Sequence, residues 1–75
     1  MERQSVVSSN IASLGYDPDS RVLEVEFKRG DVYQYLDVPE TVYQRLLRAT
    51  SVGRAFQAIV KGGGYQFRKV EAESG

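Results

Sequence analysis

Residues 21–35 read RVLEVEFKRGDVYQY, and this stretch decides the fold. From Arg21 to Lys28 the chain alternates, with Leu23, Val25 and Phe27 on one face and Glu24, Glu26 and Lys28 on the other. Period-two alternation of this kind marks a half-buried strand. Gly30 ends it. A three-residue loop of Lys28, Arg29 and Gly30 puts the glycine third, where a bulged hairpin needs a left-handed residue. Phe27 then faces Asp31, Val25 faces Tyr33 and Leu23 faces Tyr35, so Tyr33 and Tyr35 join the core face. A two-residue Arg29-Gly30 turn would bring Val32 and Leu36 there instead, because a slip of one residue exchanges every side chain between faces. The third-place glycine favours the first register.

Working upstream, Asp17-Pro18-Asp19-Ser20 is a turn: proline fixes φ, and the Asp and Ser side chains bond nearby backbone. Ile11 to Tyr16 is a short strand, Ser5 to Ser9 is extended, and residues 1–4 are a loose tail. Downstream, Pro39 suits the first helical position, where a missing N–H costs nothing. Val42, Tyr43, Leu46, Leu47 and Ala49 form the apolar stripe of a helix over residues 39–50. Thr50 or Ser51 caps a second helix over residues 52–61, whose buried stripe is Val52, Ala55, Phe56, Ile59 and Val60. Gly53 fits a tight corner between the helices or the approach of a ligand. Gly62 is the expected left-handed stop. Tyr65 to Val70 alternates as a last strand, with Tyr65, Phe67 and Lys69 on one side, and residues 72–75 are a disordered tail. The expectation is an α+β fold over residues 1–75: a small antiparallel β-meander, two short helices packed on it and a closing C-terminal strand.

Composition narrows the chemistry. The chain of 75 residues has no cysteine and no histidine, so disulfides, thiolate zinc sites and histidine general bases are excluded. A chain this short buries only about 60–65% of its unfolded surface, which makes a partner or a larger parent attractive. No run reaches the ~18 apolar residues of a spanning helix and no signal peptide is visible, so the expected setting is cytoplasmic, away from the membrane. The remaining catalytic candidates are weak. Glu24 and Glu26 lie on the outward strand face and read as solvated, Asp17 and Asp19 read as turn chemistry, and Ser51 lacks a base. Lys61-Gly62-Gly63-Gly64 follows a helix instead of preceding one, so the helix dipole does not favour a phosphate there. No enzyme, cofactor or metal is expected.

Charge is divided unevenly. Residues 41–70 carry no acid but hold Arg45, Arg48, Arg54, Lys61, Arg68 and Lys69. The first forty residues hold eight acids against four bases, so a formal net charge of zero hides a basic second half. Arg45 and Arg48 share one helix face, and Arg54, Gln57 and Lys61 share another. Arg68 and Lys69 follow on alternate faces of the last strand. Spread positive charge suits phosphates, and these seven residues are the candidate nucleic-acid contacts. The bland reading is a solvated face that balances the acidic hairpin. Tyr33, Tyr35, Tyr65 and Phe67 read as core aromatics, with base stacking as the alternative. A second functional reading is a protein-interaction or homo-oligomerisation module, the acidic hairpin of one copy meeting the basic helices of another.

The order Val7-Ser8-Ser9, Ile11, Gly15-Tyr16-Asp17, then Leu23, Val25, Phe27, Gly30, Tyr33 and Tyr35, resembles the KTSC domain, a family named for a lysyl-tRNA synthetase C-terminal segment. The likeness continues through Val38-Pro39, Val42-Tyr43, Leu46, Ala49, Ser51, Gly53, Phe56 and Ile59, and covers about residues 7 to 67. Gln57 stands where the family often has asparagine, and Gly62-Gly63-Gly64 is unusually glycine-rich. The resemblance implies a small accessory domain of bacteria or phage, either stand-alone or appended to a larger protein. Through the synthetase association it implies RNA as the partner.

Overall fold

The computed structural model describes residues 2–70. Five antiparallel strands follow one another in sheet order: β1 (Arg3–Ser5), β2 (Ile11–Asp17), β3 (Val22–Phe27), β4 (Val32–Tyr35) and β5 (Phe67–Val70). Two helices stand between β4 and β5. Helix α1 is Glu40–Arg48; helix α2 begins as Val52–Ala55 and runs on as a π-helical segment, Phe56–Lys61. The fold is thus the expected α+β meander with two short helices and a closing strand.

The hairpin adopts the bulged register. Leu23 pairs with Tyr35 and Val25 with Tyr33. Phe27 N donates to Asp31 O (2.8 Å), Gly30 N donates to Phe27 O (2.8 Å), and Gly30 has φ +106°. A residue with Cβ resists that conformation, so glycine in third place selects the pairing.

In β2 the register shifts between Ile11 and Ser13. This bulge turns Ile11 onto the same face as Leu14, and both are fully buried. The helix-side face of the sheet therefore offers Ile11, Leu14, Leu23, Val25 and Tyr35 to Val42 and Leu46 of α1 and to Val52, Phe56 and Val60 of α2. Phe56 sits edge-on to both Phe27 (centroids 5.7 Å apart) and Tyr35 (5.5 Å), which keys α2 to the hairpin. Tyr16 stacks on Tyr43 (5.4 Å) and its hydroxyl donates to Val38 O, which fixes the entry to α1.

Several expectations need correction. Residues 3 and 4 are not a loose tail but part of edge strand β1, while residues 72–75 lie outside the described residues. Pro39 is the N-cap of α1, with its first helical residue at Glu40. Gly62 keeps a right-handed conformation (φ −74°), and the left-handed glycine of the triplet is Gly64 (φ +73°). The reason is the π segment: Gly62 N donates to Gln57 O (3.0 Å), an extra residue in the turn, so the helix unwinds later than a 3.6-residue period implies. The close neighbours of Gly53 are in the β1–β2 loop and not in the other helix, which corrects the helix–helix corner. A Cβ there would lie 3.0 Å from Asn10 Oδ1 and 3.3 Å from Ser8 Oγ, so the glycine admits the β1–β2 loop.

Candidate nucleic-acid interface

The two faces of the sheet treat charge in opposite ways. On the face away from the helices, register alone aligns Arg3, Gly15, Glu24, Gln34 and Arg68 across all five strands. Arg3 Nη1 donates to Glu24 Oε2, Gln34 Nε2 donates to Glu24 Oε1 (2.9 Å), and Arg68 Nε donates to Gln34 Oε1 (2.9 Å). Glu24 is only 8% exposed, so its expected solvated setting is corrected: neighbouring strands cover a central-strand carboxylate even on the polar face. Glu26 accepts from Ser13 Oγ (2.8 Å) and lies 3.9 Å from Arg3 Nη2. A Cβ on Gly15 would lie 2.6 Å from Glu2 O and 2.9 Å from Arg3 Cγ, so glycine leaves the space over which Arg3 reaches β3.

Two acids outside this row, Asp17 and Asp31, also have partners. Asp17 accepts from Ser20 Oγ (2.9 Å) and Asp19 N (3.0 Å). The Ser20 hydroxyl, then the Asp19 amide, hold its carboxyl below the ordinary carboxylate range. Asp31 meets Arg29 Nε at 2.7 Å and Lys69 Nζ at 3.5 Å.

The helix side carries a half-open groove of about 760 Å³ between the 27–31 turn, the π segment of α2 and the approach to β5. Its floor is aromatic. Phe27, Tyr33, Phe67, Tyr35 and Phe56 form a closed cycle of neighbouring rings, with centroids 5.4 to 5.9 Å apart. Phe56 closes the cycle from the core, while Phe67 is 59% exposed. Phe67 shares the inward face with its partner Tyr35, yet β5 is the sheet's edge. The reading of Phe67 as a core residue is therefore corrected, because the side chain faces inward beyond the helices that would cover it. Tyr65 is half-buried. Burial, then the nearby Tyr33 phenol, pushes the Tyr35 phenol up, and burial alone does so for Tyr43.

The rim of the groove is basic, with Lys28 and Arg29 from the turn and Lys61 from the π segment, beside Gln57. Lys28 and Arg29 were not among the sequence candidates, because an acidic first half masks two bases at a hairpin tip. Arg54 and Gln57 share a shallow neighbouring depression with Ser9 and Asn10. Arg45 and Arg48 are exposed on α1 and line neither hollow. Arg68 faces the far side of the sheet, bonded to Gln34, and Lys69 is paired with Asp31. The seven candidates thus divide: Gln57 and Lys61 meet at the groove, Arg54 stands beside Gln57, and Arg68 is carried away by strand alternation. None of the ion pairs among the described residues involves Lys28, Arg45, Arg48, Arg54 or Lys61.

Among the described residues no group of three or more acidic, histidine or cysteine side chains gathers to hold a metal ion. Nor is any helix among the described residues long and apolar enough to cross a membrane.

The chain is similar to known proteins in sequence and in fold. A chain from Stutzerimonas stutzeri described only as an uncharacterized protein is 44% identical over 71 residues, which is 95% of this chain and 100% of its own length. A lysine–tRNA ligase from Nostoc is 39% identical over 54 residues, 72% of this chain but 10% of the ligase. The crystal structure of a KTSC domain protein from Yersinia pestis superposes with a TM-score of 0.86 at 48% identity, covering 93% of this chain and 97% of that one. The KTSC domain family model matches residues 7–67, from the β1–β2 loop to the first residue of β5, and the chain belongs to that family.

Proposed function

We propose that this KTSC domain is a non-enzymatic accessory module that binds nucleic acid, RNA in the first place. The observation that carries the reading is the segregation of charge. Three acids are engaged on or beside the sheet, Glu24 and Glu26 by Arg3 and Asp31 by Arg29 and Lys69, while Lys28, Arg54 and Lys61 stand exposed at or beside one groove. Phosphates need such unneutralised cations, and their affinity comes with release of counterions. The relative segment in a cyanobacterial lysine–tRNA ligase, one tenth of that protein, supports RNA as the partner. Arg45 and Arg48 extend the cationic area along α1, and Lys69 contributes after sharing Asp31. Arg68 is the least suited of the seven, being on the far face.

Fluorescence anisotropy of the full chain with a labelled single-stranded RNA, at several salt concentrations, tests this. Binding should weaken linearly on a log–log plot, and the Arg54→Gln, Lys61→Gln double variant should flatten that slope by about 1.4, near 0.7 per phosphate contact. Absence of binding at low salt ends the reading. A protein partner is the second reading, favoured by β5 being an open sheet edge that begins at exposed Phe67. Concentration-dependent sedimentation without RNA binding would support it.

A further inference from the structure

We infer that the groove beside the hairpin turn holds an unstacked base, so that the ligand is single-stranded nucleic acid and not a duplex. This rests on the nucleic-acid reading above and narrows it. A single exposed aromatic is ordinary on a protein surface and needs no explanation. Phe67 differs because it is held from behind: its ring lies 5.9 Å from Tyr33 and 5.4 Å from Tyr35, both tied into the core through Phe27 and Phe56. An aromatic ring braced on one side and open on the other is a stacking platform ready for a flat ligand, since little side-chain freedom remains to be lost.

The surroundings fit one class of flat ligand. The groove volume of about 760 Å³ falls inside the ~300–1,000 Å³ span of small-molecule sites. Lys28, on the hairpin turn, and Lys61, at the end of the helix, both line the groove that has the aromatic floor, so two segments distant in sequence each bring a cation to it. A nucleotide within a strand suits that combination, a flat base joined to charged phosphates. Gln57 and Asn10 add amide donors and acceptors suited to base edges. Duplex bases stack on each other and present only their edges in grooves, so no face is available for Phe67. The wide π turn fits the same purpose. It brings Gln57, Val60 and Lys61 to the groove from a single helical segment, and π segments recur where a helix serves a site.

The test compares a labelled twelve-nucleotide single strand with a blunt twelve-base-pair duplex that contains the same strand, using the full chain. The single strand should bind at least about tenfold more tightly. Phe67→Ala should weaken single-strand binding by about 5- to 150-fold, the range expected for one base stack, and should leave the salt slope unchanged. Phe67→Tyr should restore binding. Lys28→Gln is the second variant: it removes no packing, so folding is not at issue, and it should flatten the slope by about 0.7. Equal binding of duplex and single strand, or full single-strand affinity in folded Phe67→Ala, would overturn the groove assignment while leaving nucleic-acid binding intact. No binding of either RNA by the unaltered chain would overturn both.

Discussion

Arg3 crosses β2 above Gly15 and meets a carboxylate on β3, and that contact fastens the short edge strand to the sheet. Its partner Glu24 is buried at 8% exposure and keeps only Gln34 if the guanidinium is removed. Arg3→Ala should therefore cost about 1–3 kcal/mol in chemical denaturation, and the cost should shrink in a Glu24→Gln background. Gly15→Ala should show a similar loss, because the new Cβ would strike the backbone oxygen of Glu2 at 2.6 Å. Asp17 supplies a pH test. Its folded carboxyl titrates below its ordinary value, so its contribution to stability is present above about pH 3.9 and is lost as pH falls through the depressed folded value. Carbon-detected NMR titration should find that midpoint below the ordinary aspartate value, and Ser20→Ala should raise it, since the Ser20 hydroxyl is the largest cause. The Asp17 turn is local and legible in the sequence, whereas the contacts of Arg3 and Gly15 cannot be read from spacing alone. Arg3 and Glu24 are 21 residues apart, and only the paired register brings them together.

At the scale of elements, much was legible because local rules agreed. The alternation at Leu23, Val25 and Phe27 and the third-place Gly30 fix the hairpin and so put Tyr35 inside. The stripes Val42–Leu46 and Val52–Phe56–Val60 point both helices at the sheet. What escaped the sequence is where period rules fail. The β2 bulge moves Ile11 inward against simple alternation, and the π turn changes the residue count per turn after Ala55. Both sit at core positions, with Ile11 paired to Phe27 and buried, and the π segment starting at buried Phe56. Leu46→Ala should destabilise the domain by about 2–5 kcal/mol and Phe56→Ala by about 3–5 kcal/mol, measured as shifts in urea midpoint. Losses of that size approach the whole stability of a small domain.

At the scale of the molecule, a neutral total resolves into a sheet face where charges satisfy one another and a helix side where several do not. The basic stretch from 41 to 70 was visible in the sequence, but its distribution was not. Strand parity sends Arg68 to the far face, Asp31 engages Lys69, and the fold adds Lys28 and Arg29 from the acidic half. The groove itself joins residues 9–10, 27–35 and 57–67, three segments that only the finished topology makes neighbours. The most direct test is a nitrogen–proton NMR titration of the full chain with a short single-stranded RNA at low salt. The shifts should cluster on Lys28, Arg29 and Tyr33 and on residues 57–67, with Arg3, Glu24 and Gln34 unmoved. Shifts confined to the far face of the sheet, or none at all, would contradict the account.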